Sequence, residues 1–297
     1  SVRWNDGDPD EEGLLVDGDG AFILFEDKSW SLYRHVGGGR EYGTFEFGWG
    51  GGTWGAGTWG TPRDQGAWLH PSTWSMTGWG SYLMAAPRGG PIYRWRPSED
   101  ARAVIVSTAP NPVNYLFSTN ERFLVALGVN TFDAVPVFDP MALRTCRQGV
   151  ETDWAISATS NAIFQQLSGG STLVAGTSSR GQSLIWSDKC LFSMRYLGQG
   201  EFVYGFDTLG TSCGLIGPNA WAETDGIAFW LTPQGEFFLY DGSAPRSIRC
   251  PIRRRVLDTF VQAQSYAVCC GVNPLYSEFM LWIPGDPQDP EVNVVCT

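Results

Sequence analysis

Residues 220–242 read Ala-Trp-Ala-Glu-Thr-Asp-Gly-Ile-Ala-Phe-Trp-Leu-Thr-Pro-Gln-Gly-Glu-Phe-Phe-Leu-Tyr-Asp-Gly. Side chains alternate in character over 227–231, Pro-Gln-Gly at 233–235 turns the chain, and the alternation resumes at 237–240. Turn residues stand at every corner, and aromatic or β-branched residues fill the segments between them. This pattern predicts a β-hairpin.

The same pattern of a strand, a Gly or Pro turn and an aromatic-rich strand occurs four more times, at 78–95, 171–198, 264–285 and, more weakly, at 14–33. The units recur at a spacing of roughly 40–50 residues, which is the period of propeller blades. The sequence therefore predicts an all-β fold, a single β-propeller domain over 1–297 built from four-stranded antiparallel blades.

Other segments refine this prediction. Residues 121–128 open a further strand, and the polar segment 149–168 is interpreted as a loop between blades. A strand pattern begins at 292–297 and stops with the sequence, so the last blade is predicted to be incomplete and the polypeptide truncated after residue 297.

Composition and charge narrow the function classes. The formal net charge is −11 over 297 residues, which disfavours a protein that grips nucleic acid by neutralising phosphates. No apolar run approaches the roughly 20 residues that a membrane-spanning helix needs. The seven cysteines show no CxxC spacing, and His35 and His70 lie far from any cysteine pair. We therefore expect buried free cysteines and no metal site or cofactor.

A Gly/Trp-rich segment at 37–60 carries Trp49, Trp54 and Trp59, which recur every five residues. That period fits neither a helix nor a strand, so the segment is predicted to be a long surface loop. Its tryptophans either fold back onto the propeller or form a contact surface for protein or sugar. The sequence leaves both readings open.

One short helix is predicted at 251–260, where Pro251 suits the first helical position and the apolar residues share one face. Arg253, Arg254 and Arg255 are then expected to fan outward. They form a solvated helix face, an interface between subunits, since arginine suits protein contacts, or a contact with DNA phosphates. The acidic stretch at 1–20 would be a second, unlike patch.

These motifs, taken in order, resemble the nozzle or hub proteins of short-tailed double-stranded DNA bacteriophages, also called packaged-DNA stabilisation proteins. The likeness begins near residue 48, and no single motif decides it. The motifs that carry it are Gly-Trp-Gly-Gly-Gly-Thr-Trp-Gly-Ala-Gly-Thr-Trp-Gly (48–60), Trp-Ser-Met-Thr-Gly-Trp-Gly-Ser-Tyr-Leu-Met-Ala (74–85), Glu-Arg-Phe-Leu-Val-Ala-Leu-Gly (121–128), Leu-Ile-Trp-Ser-Asp (184–188), Gly-Leu-Ile-Gly-Pro-Asn-Ala (214–220), Tyr-Asp-Gly (240–242) and Cys-Pro-Ile (250–252).

The resemblance implies a structural protein of the virion tail. Such proteins form a homohexameric ring below the portal and the tail adaptor, close to tail fibre or needle proteins. Double-stranded DNA passes along the ring axis without sequence-specific binding. The family supplies no catalytic residues, so the resemblance implies that this chain is not an enzyme.

Two functions from other classes remain as alternatives. A propeller glycosidase needs two carboxylates across a sugar, one with a raised pKa. A lectin would instead use Trp49, Trp54 and Trp59 as stacking platforms. The candidate carboxylates for the glycosidase are Asp188, Glu223, Asp225 and Glu278.

Overall fold

The structure is a computed structural model. It describes residues 73–96, 102–132, 135–157, 160–198, 203–250, 253, 262–273, 275–276 and 278–283, together with the backbone of six short strands between residues 3 and 69. The chain divides into two compact units, Ser1–Glu41 and Tyr42–Thr297. The single domain predicted over 1–297 stays a prediction.

The first unit contains one four-stranded antiparallel sheet, with strands in sequence order. Its strands are β1 (Arg3–Trp4), β2 (Leu15–Val16), β3 (Phe22–Glu26) and β4 (Ser29–Tyr33). The β3–β4 hairpin is the weaker repeat predicted at 14–33.

The second unit begins with a short pair, β5 (Thr44–Phe45) and β6 (Trp68–Leu69), followed by four complete sheets that we name blades I to IV. Blade I has β7 (Trp74–Trp79), β8 (Tyr82–Pro87), β9 (Tyr93–Trp95) and β10 (Val104–Ile105). Blade II has β11 (Tyr115–Ser118), β12 (Leu124–Asn130), β13 (Phe138–Thr145) and β14 (Phe164–Gln166). Blade III has β15 (Leu173–Ser179), β16 (Gln182–Ser187), β17 (Cys190–Tyr196) and β18 (Tyr204–Thr211). Blade IV has β19 (Trp221–Thr224), β20 (Ile227–Leu231), β21 (Phe237–Tyr240) and β22 (Arg246–Ile248). A 3₁₀ helix (Gln262–Ala267) leads to the hairpin of β23 (Cys269–Asn273) and β24 (Glu278–Trp282).

The blades pack face to face in chain order, because successive residues of a strand point to opposite faces. In β12, Leu124 and Ala126 belong to the core shared with blade I. Val125 and Leu127 belong to the core shared with blade III. All four side chains are fully buried. A strand whose two faces are both covered therefore has a continuous apolar sequence.

The first strands of successive sheets contact each other: β7 with β11, β11 with β15, and β19 with β23. Small residues allow this close approach. A Cβ added to Gly176 in β15 would lie 2.5 Å from the ring of Phe117 in β11. Between blades I and II, Ser75 Oγ accepts a hydrogen bond from the amide of Leu116 at 3.0 Å and donates to Ala86 O. Consecutive four-stranded meanders packed in this way are the blades of a β-propeller. The predicted fold class is confirmed.

The predicted hairpin at 220–242 is β20–β21, with Trp230 opposite Phe238 and Leu231 opposite Phe237. Trp230 is fully buried, and its ring meets Trp186 of blade III edge-on at 5.7 Å. On the opposite face, the ring centroids of Phe229 and of Phe279 in β24 lie 4.8 Å apart. Blade IV is therefore enclosed between its two neighbours by the alternation that the sequence shows.

The segment 149–168, predicted to be a loop between blades, is not entirely a loop. It contains β14, which pairs with β13 through Ala142 opposite Gln166, and it buries Trp154. The prediction was wrong because β14 is a polar outer strand that needs no apolar alternation. The prediction of an incomplete last blade at 292–297 lies outside the described residues, as does the helix at 251–260 apart from Arg253.

The described cysteines are free thiols, and Cys146, Cys190 and Cys213 are buried. Desolvation raises the pKa of Cys146 to about 12 and that of Cys213 to about 11. Such thiols are protonated at neutral pH, and they act as small apolar core residues.

Candidate functional site

Arg253, part of the predicted interface patch, contacts its own chain. Its Nε donates to Gly235 O at 2.9 Å and an Nη donates to Gln234 O at 3.1 Å, and the guanidinium lies 3.6 Å from the Glu236 carboxylate. Arg253 therefore holds the turn of the β20–β21 hairpin, which the spacing of the arginines did not reveal. Arg254 and Arg255 lie outside the described residues.

Two further arginines extend this basic region along β22 and beyond. Arg246 and Arg249 are exposed, and Arg246 pairs with Asp241 at 3.0 Å. Hydrogen bonds from Ser243, with the Arg246 charge as a smaller contribution, lower the pKa of Asp241. Arg246 is thus partly neutralised within its own blade, whereas no partner of Arg249 is found among the described residues.

Trp49, Trp54 and Trp59 lie outside the described residues. Blade I shows exposed aromatic and apolar side chains. Trp74 is 49% exposed, Met76 62% and Ile105 51%. Tyr93 lies beside Trp74, with ring centroids 5.9 Å apart. These residues share one face of the sheet. Trp74 and Met76 are two residues apart in β7. Across the sheet, Met76 pairs with Ala85, Ala85 with Tyr93, and Tyr93 with Ile105. We call this the blade I apolar face.

Two of the four candidate glycosidase carboxylates hold backbone turns. Asp188 accepts hydrogen bonds from the amides of Ser171 at 2.7 Å and Thr172 at 3.4 Å. Glu223 accepts from the amide of Gly226 at 2.9 Å and from a serine hydroxyl at 3.2 Å. Their oxygens are used for structure, as expected of carboxylates at turns.

The other two, Asp225 and Glu278, line one cleft of about 310 Å³ together with Phe229 and Phe279. Asp225 is 87% exposed and lies 3.7 Å from the exposed guanidinium of Arg180. A glycosidase acid needs a desolvated carboxyl, and a carboxylate in open water lacks that environment. Asp225 therefore lacks the environment of the catalytic acid.

A second cleft, of about 560 Å³, lies beside the β12–β13 hairpin. Arg144 of β13 forms part of its wall, and an Nη of this residue donates to Trp154 O at 2.8 Å. The guanidinium carbon lies 5.4 Å from the ring centroid of Phe132, a cation–π distance. Desolvation lowers the pKa of Arg144, which nevertheless stays charged at neutral pH. No sequence pattern predicts this cleft, because it forms only where the hairpin meets the distant segment 109–111.

The described residues contain no group of three or more His, Cys, Asp or Glu side chains placed to hold a metal ion. Within the same part of the chain, no helix has the length and apolar character needed to cross a bilayer.

Comparison with known proteins identifies no family for this chain. No family model and no curated protein matches it. Solved structures match in fold. The structure of BBS1N in complex with ARL6DN is 12% identical, with a TM-score of 0.39, and the match covers 84% of this chain and 80% of that one.

Two other matches are of the same kind. For YCF48 bound to D1 peptide the identity is 11% and the TM-score 0.40, with 92% of this chain and 71% of that one covered. The Myceliophteria thermophila Cps50 (Swd1) β-propeller domain is 12% identical with a TM-score of 0.35, covering 84% and 85%. At these values the matches concern fold only and give no information on function.

Proposed function

We propose that this chain is a structural protein of a phage tail, a subunit of the nozzle or hub ring below the portal and adaptor. The ring retains packaged DNA and lets it pass during ejection. The observation that carries the structural role is the blade I apolar face, where Trp74, Met76 and Ile105 are each about half exposed. Large apolar side chains grouped on one sheet face mark a protein contact. The tail assignment itself rests on the sequence resemblance.

A homohexameric ring of like subunits closes through a heterologous interface, in which each subunit presents two different surfaces. The blade I apolar face supplies one such surface, and the region around Arg254 and Arg255 is the proposed second surface. The net charge of −11 favours a channel along which DNA slides without being held, because charges close to the path repel phosphates while distant ones are screened beyond about 8–10 Å. The tail adaptor and fibre or needle proteins would bind the remaining surfaces of the ring.

The test uses charge reversal in the full chain. Arg254→Glu/Arg255→Glu leaves the hairpin contacts of Arg253 in place, and Arg249→Glu is a matched control on an exposed arginine. Sedimentation and electron microscopy report rings, and DNA retention is measured in assembled particles. Loss of rings in the double variant alone supports an interface, while intact rings that leak DNA place these arginines on the channel. A wild-type chain that is absent from virions refutes the tail function.

Carbohydrate binding is the second candidate, favoured by the neighbouring rings of Trp74 and Tyr93. Aromatic rings exposed on a rigid sheet are suited to stacking on sugars. A glycan array, followed by a hydrolysis assay on each bound glycan, tests it. Binding that Trp74→Ala removes supports a lectin, and no binding to any glycan rejects it.

A further inference from the structure

The cleft beside the β12–β13 hairpin combines an exposed apolar rim with a cation, Arg144, that has no ionic partner among the described residues. We propose that it binds an acidic segment of a partner protein, in which a carboxylate meets Arg144 and a neighbouring apolar side chain packs on the hairpin. The site is independent of the proposed tail function, since it depends only on blade II and on the segment before it.

Arg144 lacks an ionic partner in the part of the chain that the structure describes. One Nη donates to Trp154 O at 2.8 Å, but the buried Nε has no hydrogen-bond acceptor. The nearest acidic residue along β13, Asp139, is occupied by the amide of Met141 at 2.8 Å and by Gln166 at 2.6 Å. A desolvated and unpaired cation is costly, and a carboxylate is its best complement because it accepts two parallel hydrogen bonds.

The rim beside Arg144 is apolar and exposed. Phe132, which lines the cleft together with Pro136, is 54% exposed. Val135 and Val137, on either side of Pro136 in the chain, are 76% and 61% exposed. Thr131 holds this rim in place, since its amide donates to Val137 O at 2.8 Å and its hydroxyl accepts from the Val137 amide at 3.1 Å. A rim held by reciprocal hydrogen bonds is pre-organised, so binding orders few side chains.

The opposite wall of the cleft is tied to the hairpin. Asn130 donates its side-chain amide to Asn111 O at 2.8 Å. The register of β12 against β13 shifts between Leu127 and Val129, where β13 carries Pro140, which has no amide proton to donate. The resulting bulge lies immediately before the hairpin end that frames the cleft.

The occupant must carry both a carboxylate and apolar side chains, and a protein segment provides this combination. A small hydrophilic acid would satisfy Arg144 but leave Phe132, Val135 and Val137 in water. A segment with a glutamate or aspartate between apolar residues covers both. The chain as a whole is acidic, with a net charge of −11, so its overall charge does not attract an acidic partner. Recognition then depends on the local contacts of this site, and the affinity should weaken little with added salt.

The experiment uses two blocked peptides, acetyl-Leu-Glu-Leu-amide and acetyl-Leu-Gln-Leu-amide, titrated into the isotopically labelled full chain and followed by nuclear magnetic resonance. The glutamate peptide is expected to bind about 10- to 100-fold more tightly than the glutamine peptide, from one charge-assisted hydrogen-bonded pair. Equal binding of the two peptides overturns the proposal.

Variants locate the site. Arg144→Gln is expected to lose the preference for glutamate, while Arg147→Gln is expected to keep it, because Arg147 is exposed and pairs with Asp153 at 3.7 Å. Phe132→Ser changes an exposed side chain, so it tests the rim even if Arg144→Gln fails to fold. Wild-type affinity in Phe132→Ser refutes the apolar contact. Sodium propionate binding as tightly as the glutamate peptide refutes a protein partner.

Discussion

Replacing Trp230 by alanine tests how the blades are held together. The side chain is fully buried, and its ring centroid lies 5.7 Å from those of both Trp186 and Phe238. Its Nε1 donates to Cys213 O at 2.8 Å. Burial of a large aromatic removes about 150–250 Å² from water, which at about 25 cal/mol per Å² corresponds to about 4–6 kcal/mol before allowing for residual burial in the unfolded chain.

Alanine retains only a small part of that area, and Cys213 O loses its donor. We therefore expect Trp230→Ala to lower the free energy of unfolding by about 4–5 kcal/mol. Trp230→Phe keeps most of the packing and should cost about 1–3 kcal/mol, chiefly for the unsatisfied carbonyl. Trp74→Ala is the matched control, because Trp74 is 49% exposed.

Urea unfolding followed by circular dichroism measures all three variants, since tryptophan fluorescence would change with the substitutions themselves. The slope of free energy against urea should stay constant if only stability changes. A loss below about 1 kcal/mol in Trp230→Ala, or an equal loss in Trp74→Ala, would refute the packing of blade IV against blade III.

Two further predictions follow from close contacts. Gly176→Ala should destabilise the protein by about 1–3 kcal/mol, because its Cβ meets an aromatic ring of the neighbouring blade. Thermal unfolding should show no comparable loss in Gly78→Ala, where a Cβ has nothing within 4 Å. Burial opposes ionisation of Glu151, but hydrogen bonds from backbone, Arg94 and Trp79 prevail and lower its pKa from the ordinary 4.5. Its carboxylate therefore stabilises the fold above about pH 4.5 and loses this effect as the pH falls through the lowered value. Glu151→Gln should cost about 1–2 kcal/mol at pH 7, and unfolding measured as a function of pH should show wild type and variant converging in acid; a difference that stays constant as the pH falls would contradict this.

The sequence predicted the blades well where alternation and turns act locally. The β20–β21 hairpin is an example, because Pro233 and Gly235 define its turn within the segment itself. It failed for β14, whose pairing depends on β13 rather than on its own apolar pattern. It also missed the role of Arg253, which is determined by the approach of the chain to the 234–235 turn.

Prediction of the candidate sites from sequence was limited in the same way, because it does not include tertiary contacts. Sequence reasoning selected Asp188 and Glu223 for their chemistry, but the structure uses both to hold turns. Arg144 carries no motif, and its surroundings come from the segments 109–111 and 130–132 and from Pro136, which only the folded sheet brings together. Residue type indicates which chemistry is available, whereas tertiary contacts decide whether a side chain is free to perform it.

The face-to-face stacking of blades has a consequence for the order in which the protein opens. The three core clusters are arranged along the chain, one between blades I and II, one between II and III, and one from III through IV to the β23–β24 hairpin. Because neighbouring blades share each cluster, opening of one blade exposes a face of the next. Backbone amides of β12 and β16, whose side chains are buried on both faces, should therefore exchange with deuterium later than those of β22, whose three residues are exposed.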